Sequence, residues 1–182
     1  MASDIEIYLG HLDDLVGGKG TYHLITEKGE LPPLWVIAYP NTPEDGDLTA
    51  FTYGLSSVSH PKWKLGRPEL VICVNSNDLD WGLAVGLLAK QLRGQCPFSY
   101  GNTVRFGRQI TGDSLMSAFL VFAPSILERD QLTVELPDRT INFAQMYPIY
   151  EREIEFIERK GVKAFLDDAR FDPYDVRRPV IA

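Results

Sequence analysis

The sequence has no long hydrophobic run, few cysteines and few basic residues in its first quarter. No stretch of about 18 consecutive apolar residues occurs, so no transmembrane helix is predicted. The opening segment, MASDIEIYLGHLDD, lacks the basic start and apolar core of a signal peptide. Two cysteines, Cys73 and Cys96, are too few for a disulfide framework. These absences lead us to expect a reduced, cytoplasmic protein with no membrane partner.

Charge is distributed unevenly along the 182 residues, whose formal net charge is −7. Nine of the 25 acidic residues but only two of the 18 basic residues lie in residues 1–50, so the remainder carries 16 of each. This balance argues against nucleic acid as a partner, because nonspecific binding to it requires clustered lysine and arginine. A second asymmetry runs from Trp81 to Gly112, which contains four basic residues and no acidic one. That segment is either solvated surface or a basic counterpart to the acidic first quarter.

Hydrophobic spacing predicts a mixed α/β fold. Apolar residues three and four apart over residues 4–15 predict an N-terminal helix that Gly17 ends, and a second helix is expected from about residue 78 to 93. Pro148 is expected to begin a helix that Gly161 ends, followed by a short helix over 162–169. Predicted strands cover residues 22–26, 34–39, 48–55, 69–74, 117–122, 132–136 and 140–146. We therefore expect a mixed, mainly antiparallel sheet packed with helices.

This order of elements indicates a single domain over residues 1–182, a length that suits one hydrophobic core. Within it, residues 1–47 form an acidic N-terminal helix and strands, and residues 171–182 form a polar C-terminal tail. Gly82 and Gly86 fall on one face of the second helix, which predicts close approach to a neighbouring element because glycine is otherwise unfavourable in helices.

Signals for catalysis are weak. No cysteine or histidine pair has metal-ligand spacing, and GGKGT at residues 17–21 lacks the spacing of a phosphate-binding loop. The stretch GLSSVSH at 54–60 is not a nucleophile elbow, because Val58 replaces the second glycine. A hydrolase using Ser56 or Ser59 with His60 stays as a minor alternative. We predict no enzyme, no cofactor and no metal.

Three segments resemble the Suppressor of fused domain in the correct order. LTAFTYGLSSVSHPKW resembles the strand and turn near the start of that domain, GRPELVICVNSNDLDWGLAVGLLAKQL resembles its central strand and apolar helix, and YPIYEREIEFIERKGVKAFLDDA resembles its closing segment. Together they cover residues 48–170, which we take as the Suppressor-of-fused-like core. The residues that match the family's structural motifs are Thr52, Gly54, Ser56, Glu69, Trp81, Pro148, Glu153 and Gly161.

The resemblance implies a binding module, since the family is not known for catalytic residues. Its founding animal member is a cytoplasmic negative regulator of Hedgehog signalling that clamps a peptide between two domains, and this chain has room for only the first. Small bacterial relatives are regarded as immunity proteins that neutralise a cognate toxin. We therefore expect a bacterial protein that binds a toxin or, alternatively, a regulatory scaffold for another cytosolic protein. The sequence does not predict an oligomeric state.

Many toxin domains act on nucleic acid and are basic, so an acidic surface would steer them into contact. Exposed aromatic residues there would anchor the partner, because binding energy concentrates in such side chains. The candidate partner-binding residues are Asp13, Asp14, Tyr39, Glu44, Asp45, Asp47, Tyr53 and Trp63.

Overall fold

The structure, a computed structural model, describes residues 2–26, 29 and 31–182. The helices are α1 (Asp4–Val16), α2 (Asp80–Leu92), α3 (Glu151–Lys160) and α4 (Val162–Leu166), with short 3₁₀ turns at Leu55–Ser57 and Arg129–Gln131. The strands are β1 (Thr21–Leu24), β2 (Trp35–Pro40), β3 (Leu48–Tyr53), β4 (Arg67–Val74), β5 (Thr103–Arg105), β6 (Ala118–Phe122), β7 (Thr133–Glu135) and β8 (Thr140–Ile149). Within the described residues, no helix is both long enough and apolar enough to cross a membrane.

All eight strands belong to one sheet with the order β1-β2-β3-β4-β8-β6-β5, and β7 pairs with the first part of β8. Neighbours are antiparallel except β4 and β8, which run parallel with Arg67 opposite Ile141. The prediction of a mixed, mainly antiparallel sheet packed with helices is confirmed.

Alternation along the strands divides the apolar residues between the two faces of the sheet. Ile37 and Phe51 pack under α1, whereas their neighbours Val36 and Ala50 pack under α2. Helices α3 and α4 cover the far end of the α1 face, where they bury Leu120 and other residues of β6 and β8. The sheet therefore lies between two helical layers, and its central strands are covered on both sides.

The predicted reason for the two glycines of α2 is confirmed. A Cβ atom added at Gly82 would lie 3.0 Å from the Cβ of Ala50, and one at Gly86 would lie 2.4 Å from a methyl group of Val36. A side chain at Gly86 would force Val36 to move, and one at Gly82 would be tightly packed against Ala50. Glycine thus lets α2 approach β2 and β3 closely.

The prediction that Pro148 begins a helix is wrong. Pro148 lies inside β8, opposite Phe119 of β6, and α3 begins three residues later at Glu151. The ladder between β8 and β4 ends at Gln145, so β8 has no second partner strand at Pro148 that would need its missing N–H. The start predicted for the second helix is also displaced, since α2 begins at Asp80.

Residues 171–182, described above as a polar tail, contribute three buried side chains. Val176 joins the core under α2, Ile181 joins the cluster under α3, and Arg178 is only 2% exposed. The last residues of the chain therefore close over the C-terminal helices.

Candidate partner-binding surfaces

A buried carboxylate organises the turn after β3. Glu69 of β4 is fully buried, and its oxygens accept hydrogen bonds from the hydroxyl of Thr52 (2.7 Å), the N–H of Gly54 (2.8 Å) and both the N–H (2.9 Å) and hydroxyl (2.7 Å) of Ser56. The N–H of Leu55 adds a longer bond of 3.3 Å. All of these donors are neutral, and they include the free N–H groups that begin the 3₁₀ turn.

Gly54 is required at this turn for two reasons. Its φ of +117° is a conformation that other residues rarely adopt, and a Cβ atom would lie 2.3 Å from the carbonyl oxygen of Pro33. Arg93 donates to the carbonyls of Pro32 and Gly54 and so joins the turn to the end of α2. The first family-like motif is thus a structural unit that fixes residues 52–57 beside the segment before β2.

The remaining motif residues are also structural. Trp81 is fully buried, with its ring edge-on to Phe119 at a centroid distance of 6.4 Å. Glu153 is fully buried and forms two hydrogen bonds with the guanidinium of Arg178, at 2.6 and 2.8 Å. Gly161 ends α3 with a φ of +90°. Trp81 and Glu153 are therefore buried inside the fold, and Gly161 ends a helix.

An apolar groove lies between α1 and strands β1 and β2; we call it the α1 groove. Its volume is about 670 Å³, with Asp4 and Arg139 as its charged residues. Ile5 and Leu9 of α1 form one wall, and Tyr22, Trp35, Ile37 and Tyr53 form much of the rest. Tyr22 is 50% exposed on β1, which has no partner on its outer side among the described strands. Exposed aromatic surface of this kind is typical of protein interfaces.

Acidic side chains continue along the outer side of α1; we call them the acidic surface. Glu6 and Asp14 are exposed on α1, and Glu44 and Asp45 are exposed on the loop before β3. The two segments lie together, because one cavity is lined both by the end of α1 (Leu15 and Val16) and by loop residues 41–43. The acidic surface therefore adjoins the α1 groove through α1 itself.

Three of the candidate partner-binding residues are engaged inside the protein. Asp13 accepts hydrogen bonds from Lys19 (2.7 Å) and from the hydroxyl of Tyr39 (3.0 Å), and the ring of Tyr39 is buried. Asp47 is buried and accepts from the side chain of Asn75. Burial and the bond to Asp13 raise the pKa of the Tyr39 hydroxyl above its usual value. Internal hydrogen bonds therefore engage Asp13, Tyr39 and Asp47, which lie behind the acidic surface and not on it.

The other two aromatic candidates lie in different places. Tyr53 is half-buried and lines the α1 groove, and its ring is tilted by 37° against that of Tyr8 at a centroid distance of 4.9 Å. Trp63 lies in a separate groove, where its indole N–H donates to the carbonyl of Pro97 at 2.8 Å. The structure thus places Tyr53 in the α1 groove and Trp63 in a different groove.

The serine–histidine pair of the hydrolase alternative is not formed among the described residues. The hydroxyl of Ser56 is buried and donates to Glu69. The His60 ring bonds instead to backbone, with Nε2 3.2 Å from the carbonyl of Gln95 and Nδ1 accepting from the N–H of Lys62. Ser59 is exposed and has no hydrogen bond to this ring. Burial also raises the pKa of Cys73 to about 11, so its thiol stays protonated near neutral pH.

Sequence reasoning missed several residues that the structure brings to these surfaces. Tyr22 and Leu24 alternate in a short strand and are each about half exposed, which is the pattern of an edge strand. Lys62, Lys64 and Leu65 flank Trp63, and an alternation of basic and aromatic residues could have indicated a surface. Glu6 belongs to the acidic first quarter of the sequence, but its exposed position on the acidic surface was not predicted.

The eight-stranded sheet, with one parallel pair and a helical layer on each side, defines an α+β domain. Known proteins share this fold. The protein sequence matches the family described as Suppressor of fused protein (SUFU) over residues 30–179. The chain therefore belongs to the Suppressor of fused family. The match extends beyond residues 48–170, on which the motif resemblance was based. No curated protein sequence matches the chain.

Solved structures share the fold across nearly the whole chain. A SUFU homologue from Neisseria gonorrhoeae superposes with a TM-score of 0.73 at 22% identity, covering 96% of this chain and 94% of that one. A chain from the Sufu–Fu complex gives 0.71 at 13% identity, with 97% and 91% covered. Drosophila Suppressor of Fused gives 0.66 at 15% identity, and 97% of this chain covers 50% of that protein. These likenesses establish the fold.

Proposed function

We propose that this chain is a non-catalytic binding protein that neutralises a cognate bacterial toxin by direct contact in the cytoplasm. The observation that carries the proposal is the junction of the α1 groove with the acidic surface. The groove supplies exposed apolar and aromatic area, which provides affinity, and the acids supply charge of one sign, which provides orientation. A chain of this fold forms part of the Sufu–Fu complex, which supports a protein as the partner.

The charge of the surface favours a basic partner. Glu6, Asp14, Glu44 and Asp45 are exposed and take part in no ion pair among the described residues. Toxin domains that bind nucleic acid carry basic clefts, and the acidic surface beside the α1 groove would attract such a cleft at long range and cover it. The partner would therefore lose access to its substrate without any chemistry on this chain.

Co-expression with the toxin domain encoded by the adjacent gene tests the proposal. We expect the wild-type chain to restore growth and to elute with the toxin on a sizing column. Tyr22→Ser with Leu24→Ser should weaken both results, because these side chains are about half exposed beside the α1 groove. Leu87→Ser, on α2 at the opposite face, is the matched control and should behave as the wild type. Unrelieved toxicity with no complex would refute the proposal.

The acidic surface has its own test in the rate of association. Asp14→Lys, Glu44→Lys and Asp45→Lys together should slow association with the toxin by about ten-fold at low salt, and less at high salt. Glu155→Lys with Glu158→Lys, which are exposed on α3, is the control for charge change elsewhere. An association rate unaffected by the first set would remove the acidic surface from the proposal.

The chain could instead act as a regulatory scaffold that binds a different cytosolic protein. In that case co-expression with the toxin would fail to restore growth, and the charge reversals would slow association with that other protein.

A further inference from the structure

A second groove opens on the α2 face of the sheet, where β4 and β8 begin; we call it the lysine groove. Its volume is about 460 Å³, and it lies between the loop before β4 and the turn that precedes β5. The floor includes Pro68 and Ala144, and Ala144 belongs to the core under α2. The walls comprise Lys62, Trp63, Lys64, Leu65, Phe98, Tyr100 and Leu132.

The aromatic walls of the lysine groove are held in place by hydrogen bonds. The indole N–H of Trp63 donates to the carbonyl of Pro97 at 2.8 Å, and the hydroxyl of Tyr100 donates to the carbonyl of Phe143 at 3.2 Å. Phe98, which is 2% exposed, has a φ of +49°. A bulky residue rarely adopts this conformation, and backbone strain of this kind is concentrated at binding sites. The groove is therefore a preformed shape.

Two of the apolar side chains that line the lysine groove are exposed to solvent. Leu65 is 91% exposed and Tyr100 is 52% exposed, and both line the groove. Of the residues that the structure describes, Lys62 and Lys64 are the only charged ones that line the groove, and neither forms an ion pair with another of them. An apolar floor with two free ammonium groups at its rim complements a segment that carries carboxylates around an apolar side chain.

An acidic protein segment fits these features better than nucleic acid does. Two lysines supply too few phosphate contacts for a polyanion, and a chain of net charge −7 would repel one. A peptide with a few carboxylates matches two lysines, and its apolar residue would cover Leu65 and the Trp63 ring. The occupant is thus opposite in charge to the basic partner proposed for the acidic surface.

We propose that the lysine groove is a second interaction site, which binds an acidic segment of another protein through one apolar side chain. The segment's carboxylates face Lys62 and Lys64, and its apolar side chain lies against Trp63, Leu65 and Tyr100. This site is on a different face of the sheet from the α1 groove, so the two proposals stand or fall separately.

The experiment selects peptides from a displayed library of random short peptides on the immobilised wild-type protein. We expect enriched peptides to contain clustered Asp or Glu beside Leu, Phe or Trp. Measured with one enriched peptide, Lys62→Glu with Lys64→Glu and, separately, Leu65→Ser should each weaken binding by about ten-fold or more. All three positions are exposed, so these variants should retain the wild-type melting temperature. Lys90→Glu with Lys160→Glu, exposed elsewhere, is the matched control and should bind as the wild type does.

Four outcomes would overturn the proposal. These are the absence of enriched peptides, enrichment of basic or uncharged ones, equal capture by the Lys62 and Lys64 variant, and tighter binding of a single-stranded oligothymidine than of the enriched peptide. Sedimentation of the wild type alone adds a further check. If the wild type self-associates as its concentration rises, and Lys62→Glu with Lys64→Glu abolishes this association, then a second copy of this chain occupies the groove.

Discussion

Among the residues that the structure describes, two glutamates are completely buried, and the protein accommodates them in opposite ways. Glu69, at the centre of the sheet, accepts hydrogen bonds only from neutral donors. All of these donors belong to one five-residue segment, Thr52 to Ser56, at the end of β3 and in the turn after it. Glu153, at the start of α3, is paired with the guanidinium of Arg178 from the end of the chain. The first site uses the hydroxyl and N–H groups of one short segment, and the second uses an opposite charge.

The difference indicates what each carboxylate stabilises. Around Glu69, the N–H groups of a turn would have no partner without the carboxylate, so Glu69 fixes the turn beside the α1 groove. At Glu153, the carboxylate also accepts from the N–H groups of Tyr150 and Ile181, so it joins the first turn of α3 to the last residues of the chain. Arg178 lies over the rings of Tyr150, Phe165 and Phe171 at 5.3 to 5.6 Å, which adds cation–π attraction.

The largest effect is expected from Glu69→Ala. Removing the carboxylate leaves several buried donors without acceptors, so we expect the free energy of unfolding to fall by about 4 kcal/mol or more. Urea denaturation measures this loss. Glu155→Ala, an exposed change on α3, should alter stability by less than about 0.5 kcal/mol. A loss below about 1 kcal/mol for Glu69→Ala would mean that the turn finds other acceptors.

A smaller loss is expected from Arg178→Ala, which leaves the Glu153 charge buried without its partner. We expect about 3 kcal/mol, because the chain end can lift away and admit water. Combining Glu153→Gln with Arg178→Leu should recover most of the loss, since it removes both charges and keeps an amide oxygen. Arg177→Ala, the exposed neighbour, is the control. Failure of the double variant to recover stability would show that the ion pair itself, and not relief of a lone charge, stabilises the C-terminal region.

Two glycines, Gly54 beside Glu69 and Gly161 at the opposite end of α3 from Glu153, give the smallest and most direct comparison. Both have positive φ, but a side chain at Gly54 would meet the Pro33 carbonyl, whereas nothing lies within 4 Å of a Cβ at Gly161. Gly54→Ala should therefore cost about 2 to 3 kcal/mol and Gly161→Ala about 1 kcal/mol, from backbone strain alone. Thermal unfolding of both variants measures the difference. Equal losses would show that strain, and not the close approach to Pro33, accounts for both glycines.

Much of the sheet could be predicted because burial imposes local patterns. The continuous apolar run after Glu69 predicted the central strand, and Gly82 and Gly86 predicted the close approach of α2 that the structure confirms. Pro148 misled, since a proline before acidic residues is also the pattern of a helix start. Only the pairing of β8, which is not local, shows that the strand continues through Pro148 to Ile149.

The α1 groove and the acidic surface were harder to predict from the sequence than the sheet. Side-chain charge predicted a surface that includes Asp14, Glu44 and Asp45, and these three are exposed, but charge alone did not reveal that Asp13 and Asp47 are hydrogen-bonded inside the protein. Aromatic residues likewise give no sign of exposure, so Tyr39, Tyr53 and Trp63 looked alike and proved to have three different environments. The pairing of Glu153 with Arg178 could not be predicted, because the two residues lie 25 positions apart and Arg178 lies outside any helix or strand, where no sequence pattern indicates burial.

The single parallel contact has a consequence for synthesis on the ribosome. Because β4 pairs with β8, with Arg67 opposite Ile141, the first four strands emerge well before the strand that completes the centre of the sheet. Until then, β4 presents an open apolar edge, and long-range pairing of this kind makes folding slow and exposed to aggregation. We expect nascent chains arrested before β8 to be degraded readily by protease, and protection to appear in one step once α3 has emerged.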